Sequence, residues 1–155
     1  MLSHTVHRAT LEEIEIAFAL VTEYCEEMGV EVREDREQFE KQYFAEGAGV
    51  WLALTQGEAV GCVALRELGN QPKCGEIKRM YVRRKLRGKG VADSLLLALE
   101  EQAEKFGYEW LYLDTMSSMI AAARFYRRNL YEPCKRYNDN SQVGLFLRKR
   151  LAGKT

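Results

Sequence analysis

The segment Glu76–Leu96, EIKRMYVRRKLRGKGVADSLL, constrains the fold of this chain more than any other. A stretch of strand character ends at Val82, a basic loop follows, Gly88 and Gly90 remove side chains, and a helical periodicity begins. Val91, Leu95, Leu99, Ala103 and Phe106 recur at helical spacing, with Glu100, Glu101 and Glu104 outside, which predicts a helix from about Gly90 to Phe106. Trp110–Thr115 then reads as a buried strand. Together these segments form a parallel strand–helix–strand unit from Glu76 to Asp114, the centre of an α/β domain with a mixed sheet.

The flanks fit around that unit. A short strand is expected at Thr5–Arg8, followed by a helix opened by a Thr10/Glu13 capping box, with Ile14, Phe18, Val21 and Cys25 on one face. A very polar helix is expected over Glu34–Phe44. Val50–Leu68 reads as a hairpin turning at Gln56-Gly57-Glu58, and Gly69–Gly75, which contains Pro72, as a loop. The segment SSMIAAARFYRRN predicts a helix capped by Ser117 or Ser118 and stopped by a left-handed Asn129, with Leu130 giving the hydrophobic contact. VGLFLRKRL closes the chain as a strand. No repeat, linker or low-complexity stretch divides the 155 residues, so a single domain, 1–155, is expected.

Charge narrows the ligand. The 23 basic and 23 acidic residues cancel, which argues against general nucleic-acid binding. Their distribution is uneven: residues 1–46 carry 12 acids against 4 bases, and Ile77–Ala92 holds seven Lys or Arg and no acid. Such a basic run beside a helix start suits an anion. The first amides of a helix lack internal partners, the helix dipole is positive there, and glycines allow close approach. A phosphate-bearing ligand follows, most economically a diphosphate. A Walker loop is excluded because no GxxxxGK[ST] occurs, and a GxGxxG fingerprint fails at Asp93. The pattern that fits is Arg87-x-x-Gly90-x-Ala92. The four cysteines show no CxxC pair and no histidine cluster, so reduced thiols and no metal are expected. No apolar run is long enough to span a membrane, and the opening MLSHTVHRATLEEIE lacks the pattern of a secretory signal, so the expected compartment is cytoplasmic, with no membrane or nucleic-acid partner.

On these residues the chain resembles the GNAT superfamily of acyl-CoA-dependent N-acyltransferases. EIKRMYVRRKLRGKGVADSLL is similar to its acyl-CoA-binding motif, and YLDTMSSMIAAARFYRRNLY to the strand and helix that follow. The resemblance implies a GNAT-like fold in which two central parallel strands splay and acetyl-CoA, as co-substrate, enters the notch. It implies that the backbone of Met80, Tyr81 and Val82 pairs with pantetheine, and that the pyrophosphate sits on amides from Arg87 through Gly88, Lys89, Gly90 and Val91 to Ala92. Of Arg83, Arg84 and Lys85, at least one is expected to be only solvated and another to meet the nucleotide's own phosphate.

The same resemblance points to catalytic groups. Tyr126, on the face shared with Met119 and Ala122, matches the family's proton donor to the leaving thiolate. Glu76 is the candidate base, with substrate binding an equal alternative. Along this strand Glu76, Lys78, Met80 and Val82 are expected to share one face and Ile77, Arg79 and Tyr81 the other, and charge at both Lys78 and Arg79 implies that its N-terminal half opens onto a wet cleft. Asp114, Tyr137 and Asn138 are candidates for the acceptor pocket, capping of the turn before Ser117 being the favoured reading of Asp114. Two departures from the family stand out: Met119 replaces an asparagine that bonds pantetheine, and Asn129-Leu130 or Leu130-Tyr131 replaces a Gly-Phe pair.

The implied reaction is acetyl transfer from acetyl-CoA to a primary amine by direct attack in a ternary complex. A small acceptor is expected, and the acidic first third of the chain suits a cationic one, although Glu-rich helices are more commonly solvated faces. Transfer to a protein N-terminus or lysine, and a non-catalytic acyl-CoA-binding module, are the alternatives. A homodimer is compatible with the resemblance, and no feature of the sequence specifies it.

Overall fold

The computed structural model describes residues 3–31, 34–116, 119–141 and 143–151. Seven strands, β1 (Thr5–Arg8), β2 (Gly49–Thr55), β3 (Glu58–Glu67), β4 (Cys74–Val82), β5 (Trp110–Thr115), β6 (Glu132–Pro133) and β7 (Leu145–Arg150), make one sheet in the order β1-β2-β3-β4-β5-β7-β6. The helices are α1 (Ile14–Met28), α2 (Arg36–Tyr43), α3 (Val91–Lys105) and α4 (Ile120–Arg128).

Local chemistry explains most boundaries. The Thr10/Glu13 capping box is present and opens a 3-10 turn that runs into α1, and a second box, Asp35 with Gln38, opens α2. Gln56 and Gly57 both take positive φ (52° and 77°), the geometry a two-residue hairpin needs. The sheet has a helical layer on each face. Ile77, Leu65 and Val63 pack with Leu95, Leu96 and Leu99 of α3, while Leu52, Cys62 and Ala64 pack with Ala17, Leu20 and Val21 of α1 and Phe39 of α2.

β4 and β5 form the one parallel pair in the sheet as described, and they meet for just three residues, Cys74–Glu76 against Trp110–Tyr112. Beyond them β5 stays paired to β7, β4 stays paired to β3, and the two part. The splay is therefore present, and it opens a notch between Ile77–Val82 and Leu113–Thr115.

Three expectations require correction. β4 does not alternate regularly: Ala64 pairs with Lys78 but Cys62 pairs with Tyr81, so β4 carries an extra residue, and Arg79 absorbs it at φ 57°. The bulge reverses the faces beyond it. Tyr81 joins the α1 layer, and Met80 and Val82 join the α3 layer with Ile77. Asn129 is not left-handed; its φ is −91°, and Leu130 takes the left-handed position at 74°. The amides of Leu130 and Tyr131 reach back to the carbonyls of Arg127 (3.0 Å) and Tyr126 (2.9 Å), and the Tyr126 and Tyr131 rings meet at 5.5 Å, so Leu130-Tyr131 occupies the Gly-Phe place. The loop before β4 is shorter than expected, because Cys74 and Gly75 already pair with β5. Ser117 and Ser118 lie outside the described residues. The two-residue β6 left no trace in the hydrophobic pattern and pairs with β7 at the edge of the sheet.

Candidate active site in the splay

A cavity of about 650 Å³ passes through the notch from one helical layer to the other. Tyr24 and Met28 of α1 and Gln42 and Tyr43 of α2 line it on one side, and α3 and α4 line it on the other.

Its α3 end is built from backbone. Gly88 and Gly90 are left-handed (77° and 83°), conformations that a side chain disfavours. The first bond of α3 runs from the Ser94 amide to the Gly90 carbonyl (3.1 Å), and no side chain caps the helix. Among the described residues the amides from Gly88 through Ala92 have no partner, whereas that of Arg87 bonds the Arg84 carbonyl (3.2 Å). Gly88, Gly90, Val91 and Ala92 line the cavity, and Lys89 stands exposed beside it. Asp93 is drawn aside by Arg128 (3.1 Å) and Asn129 (3.2 Å), which keeps its charge engaged next to an anion site.

The arginines of the basic run divide. Arg83 pairs with Glu23 and Glu58, and Arg87 gives its Nε–H to the Val82 carbonyl (2.7 Å), pairs with Glu27 and lies over the Tyr81 ring. Arg84, Lys85 and Lys89 are exposed and make no ion pair among the described residues. Much of the acidity of α1 is thus consumed by the loop that the sequence showed as basic.

The other end is built from side chains. Arg79 is held by both oxygens of the buried Glu34 (3.0–3.3 Å). Arg66 gives Nε–H to Glu76 (2.9 Å) and one Nη to Gln42 (2.9 Å). Lys78 lies between Asp114 (3.3 Å) and Glu76 (3.5 Å). Glu76 is 1% exposed, accepts from Tyr137 (2.8 Å) and does not line the cavity, so the wet cleft expected around it is instead a closed ionic network. Asp114 does line the cavity and accepts from Asn138 (2.6 Å). Tyr137 and Asn138 therefore reach the site through these two carboxylates, and themselves line a second depression beside β5 and β7. Burial, with Glu76 and Asp114 adding to it, pushes the Tyr137 phenol far above its ordinary value.

Met80, Val82, Met119, Ala122 and Tyr126 all line the cavity. Tyr81 does not; its hydroxyl turns to Glu23 (2.7 Å). Tyr126 is buried, and burial raises its pKa, so its phenol is a protonated donor at neutral pH. Sequence reasoning missed Tyr24, Glu34 and Arg66. Arg66, a cation directly after the apolar run Val63–Leu65 on β3, carried a signal; Tyr24 and Glu34 carried none, since nothing local separates them from a solvated face.

The chain has matches among known proteins. The model of the acetyltransferase (GNAT) family matches residues 15–130. An uncharacterized N-acetyltransferase of Schizosaccharomyces pombe is 31% identical over 127 residues, 78% of this chain and 77% of that one. A GNAT-family acetyltransferase of Staphylococcus aureus superposes with a TM-score of 0.83 at 20% identity, covering 97% of this chain and all of the other. N-acetylglutamate synthase of Neisseria gonorrhoeae, solved with coenzyme A and N-acetyl-glutamate, gives 0.77 at 19% identity, covering 97% of this chain and 35% of that one.

Proposed function

The chain belongs to the GNAT family of acetyltransferases, and on that premise we propose that it transfers an acetyl group from acetyl-CoA to the primary amine of a small molecule. One observation carries the reading: the uncapped start of α3 and the Tyr126 phenol open into the same cavity, at the point where β4 and β5 part.

The residues present suit coenzyme A. The free amides from Gly88 through Ala92 would hold its pyrophosphate, with Arg84, Lys85 and Lys89 supplying full charge nearby. The unpaired edge of β4 past Glu76 offers backbone groups to pantetheine, and Met119 offers only a thioether where the family has an amide. The acceptor nitrogen attacks the thioester carbonyl, the C–N bond forms, the C–S bond breaks, and the thiolate leaves with a proton from Tyr126, which the proton shed by the new amide nitrogen replaces. An amine with a pKa of about 10 must first lose its own proton. Asp114 lines the cavity and is the carboxylate placed to receive it, directly or through water, while Glu76 fixes Arg66, Lys78 and Tyr137. The acceptor end is bounded by Val30 and Glu31 on one side and Asn140 and Val143 on the other, which favours a small molecule over an extended peptide. With Glu23, Glu27 and Glu34 all paired to arginines, the acidic first third gives a cationic acceptor little support.

The test is thiol release from acetyl-CoA against a panel of amines. Asp114→Asn is expected to lower kcat and steepen its rise with pH, and Glu76→Gln to lower stability more than rate. No release with any amine, together with no binding of coenzyme A by calorimetry, would overturn the reading.

A further inference from the structure

Arg66 and Arg79 each keep a donor in reserve. Arg79 spends Nε and Nη2 on Glu34, and Arg66 spends Nε and Nη1 on Glu76 and Gln42. Nη1 of Arg79 and Nη2 of Arg66 have no acceptor among the described residues, yet neither is sealed from solvent, and both residues line the cavity. The side chains are 17% and 35% exposed, so water compensates them only in part.

The two guanidiniums are neighbours. Both act on the Tyr43 hydroxyl, favouring its ionised form against the burial that pushes it up to about 12. Burial works against the Arg66 charge, Tyr43 and Glu76 favour it, and Arg79 repels it. Glu76 with Gln42, and Glu34, engage part of each guanidinium, and the two spare donors belong to like charges that line the same cavity. An anion placed there would relieve the repulsion and satisfy both donors; an ammonium would add to it.

That space is separate from the phosphate end. Arg79 lies three residues before Val82, after which the basic loop begins. The two arginines also face the α1/α2 layer, with Glu34 and Gln42, whereas α3 starts on the opposite face.

Resting on the acetyltransferase reading, we propose that the acceptor is an amine that carries a carboxylate, as an amino acid does, and that the spare donors of Arg66 and Arg79 hold that carboxylate. A fork of N–H groups matches carboxylate geometry, which a lysine cannot do. Lys78 is committed to Asp114 and Glu76 and takes no part.

The experiment is calorimetry on the protein saturated with coenzyme A, titrated with L-leucine, L-glutamine and L-phenylalanine and with the decarboxylated amine of each, which has no carboxylate. At least one amino acid is expected to bind more tightly than its decarboxylated partner by about tenfold or more. Arg66→Gln should erase that preference while coenzyme A affinity stays within about twofold. Because Arg66 also supports Glu76, Arg79→Lys serves as a second variant: it keeps the charge facing Glu34, removes the spare fork and should weaken the preference. Equal binding of acids and amines, or a preference that survives both substitutions, would overturn the carboxylate site and leave acetyl transfer standing. Failure of coenzyme A to bind would instead overturn the transferase reading; the amino-acid titrations on the free protein would still decide the carboxylate site.

Discussion

At the α3 end of the cavity the free positive groups are unbonded backbone amides and exposed cations; at the β4 bulge Arg66, Lys78 and Arg79 are each anchored by a carboxylate. The first arrangement depends on a few consecutive residues and on glycine conformation. The second is assembled from α1, α2, β3, β4 and β5. The difference teaches what each end can tolerate: the first can lose a side chain and keep its amides, while the second stores its geometry in ion pairs that fail together.

The largest expected effect tests the anchored end. Glu34→Ala leaves Arg79 without its buried partner and should cost about 3–5 kcal/mol of stability, read by urea or thermal unfolding. A loss below about 1 kcal/mol would show that water replaces Glu34 and that the end is less rigid than the ion pairs indicate. Tyr126→Phe should lower kcat by about 10²-fold with little change in the KM for acetyl-CoA. If kcat holds, Tyr24, which lines the same cavity, becomes the proton donor to test next.

Protonation distinguishes the ends as well. Burial, with Tyr24 adding to it, raises Tyr126, so the rate should climb as the acceptor amine deprotonates and not fall before about pH 10. The same burial has a cost in alkali. Tyr43 is held up to about 12 in the folded state, while an unfolded tyrosine gives up its proton near 10, so this part of the stability is complete below about pH 10 and is lost as pH rises toward 12.

Leu130→Gly acts at neither end and makes a useful control. A leucine held at φ 74° pays the left-handed penalty that glycine avoids, and it is 75% exposed, so the exchange removes few contacts. Stability should rise by about 1 kcal/mol with activity unchanged. The smallest effect belongs to Lys89→Ala: a few-fold weaker binding of coenzyme A at low salt, vanishing as salt is added.

These ends also differ in how far the sequence discloses them. The basic loop, its glycines and the start of α3 are contiguous, so local chemistry from Arg83 to Ala92 was sufficient to predict an anion site. The hairpin turn, β5 and the capping box at Thr10 were legible for the same reason. The acceptor end was not. Glu34 meets Arg79 across 45 residues and Tyr137 meets Glu76 across 61, and no periodicity records such a pairing. The bulge escaped because Arg79 adopts positive φ without being glycine, so strict alternation placed Met80, Tyr81 and Val82 on the wrong faces. Glu76 was singled out for its chemistry, and only its neighbours revealed that the network encloses it.

The extra residue at Arg79 fixes which way the three residues after it point, so the spacing from Glu76 to Val82 is held more tightly than the letters within it. Exchanging a side chain there alters one contact. Deleting a single codon would turn the end of the strand inside out, driving the Tyr81 ring into the layer of Leu95 and the Val82 methyls toward the Glu23 carboxylate. Descendants of this chain can drift in spelling across that stretch, but not in length.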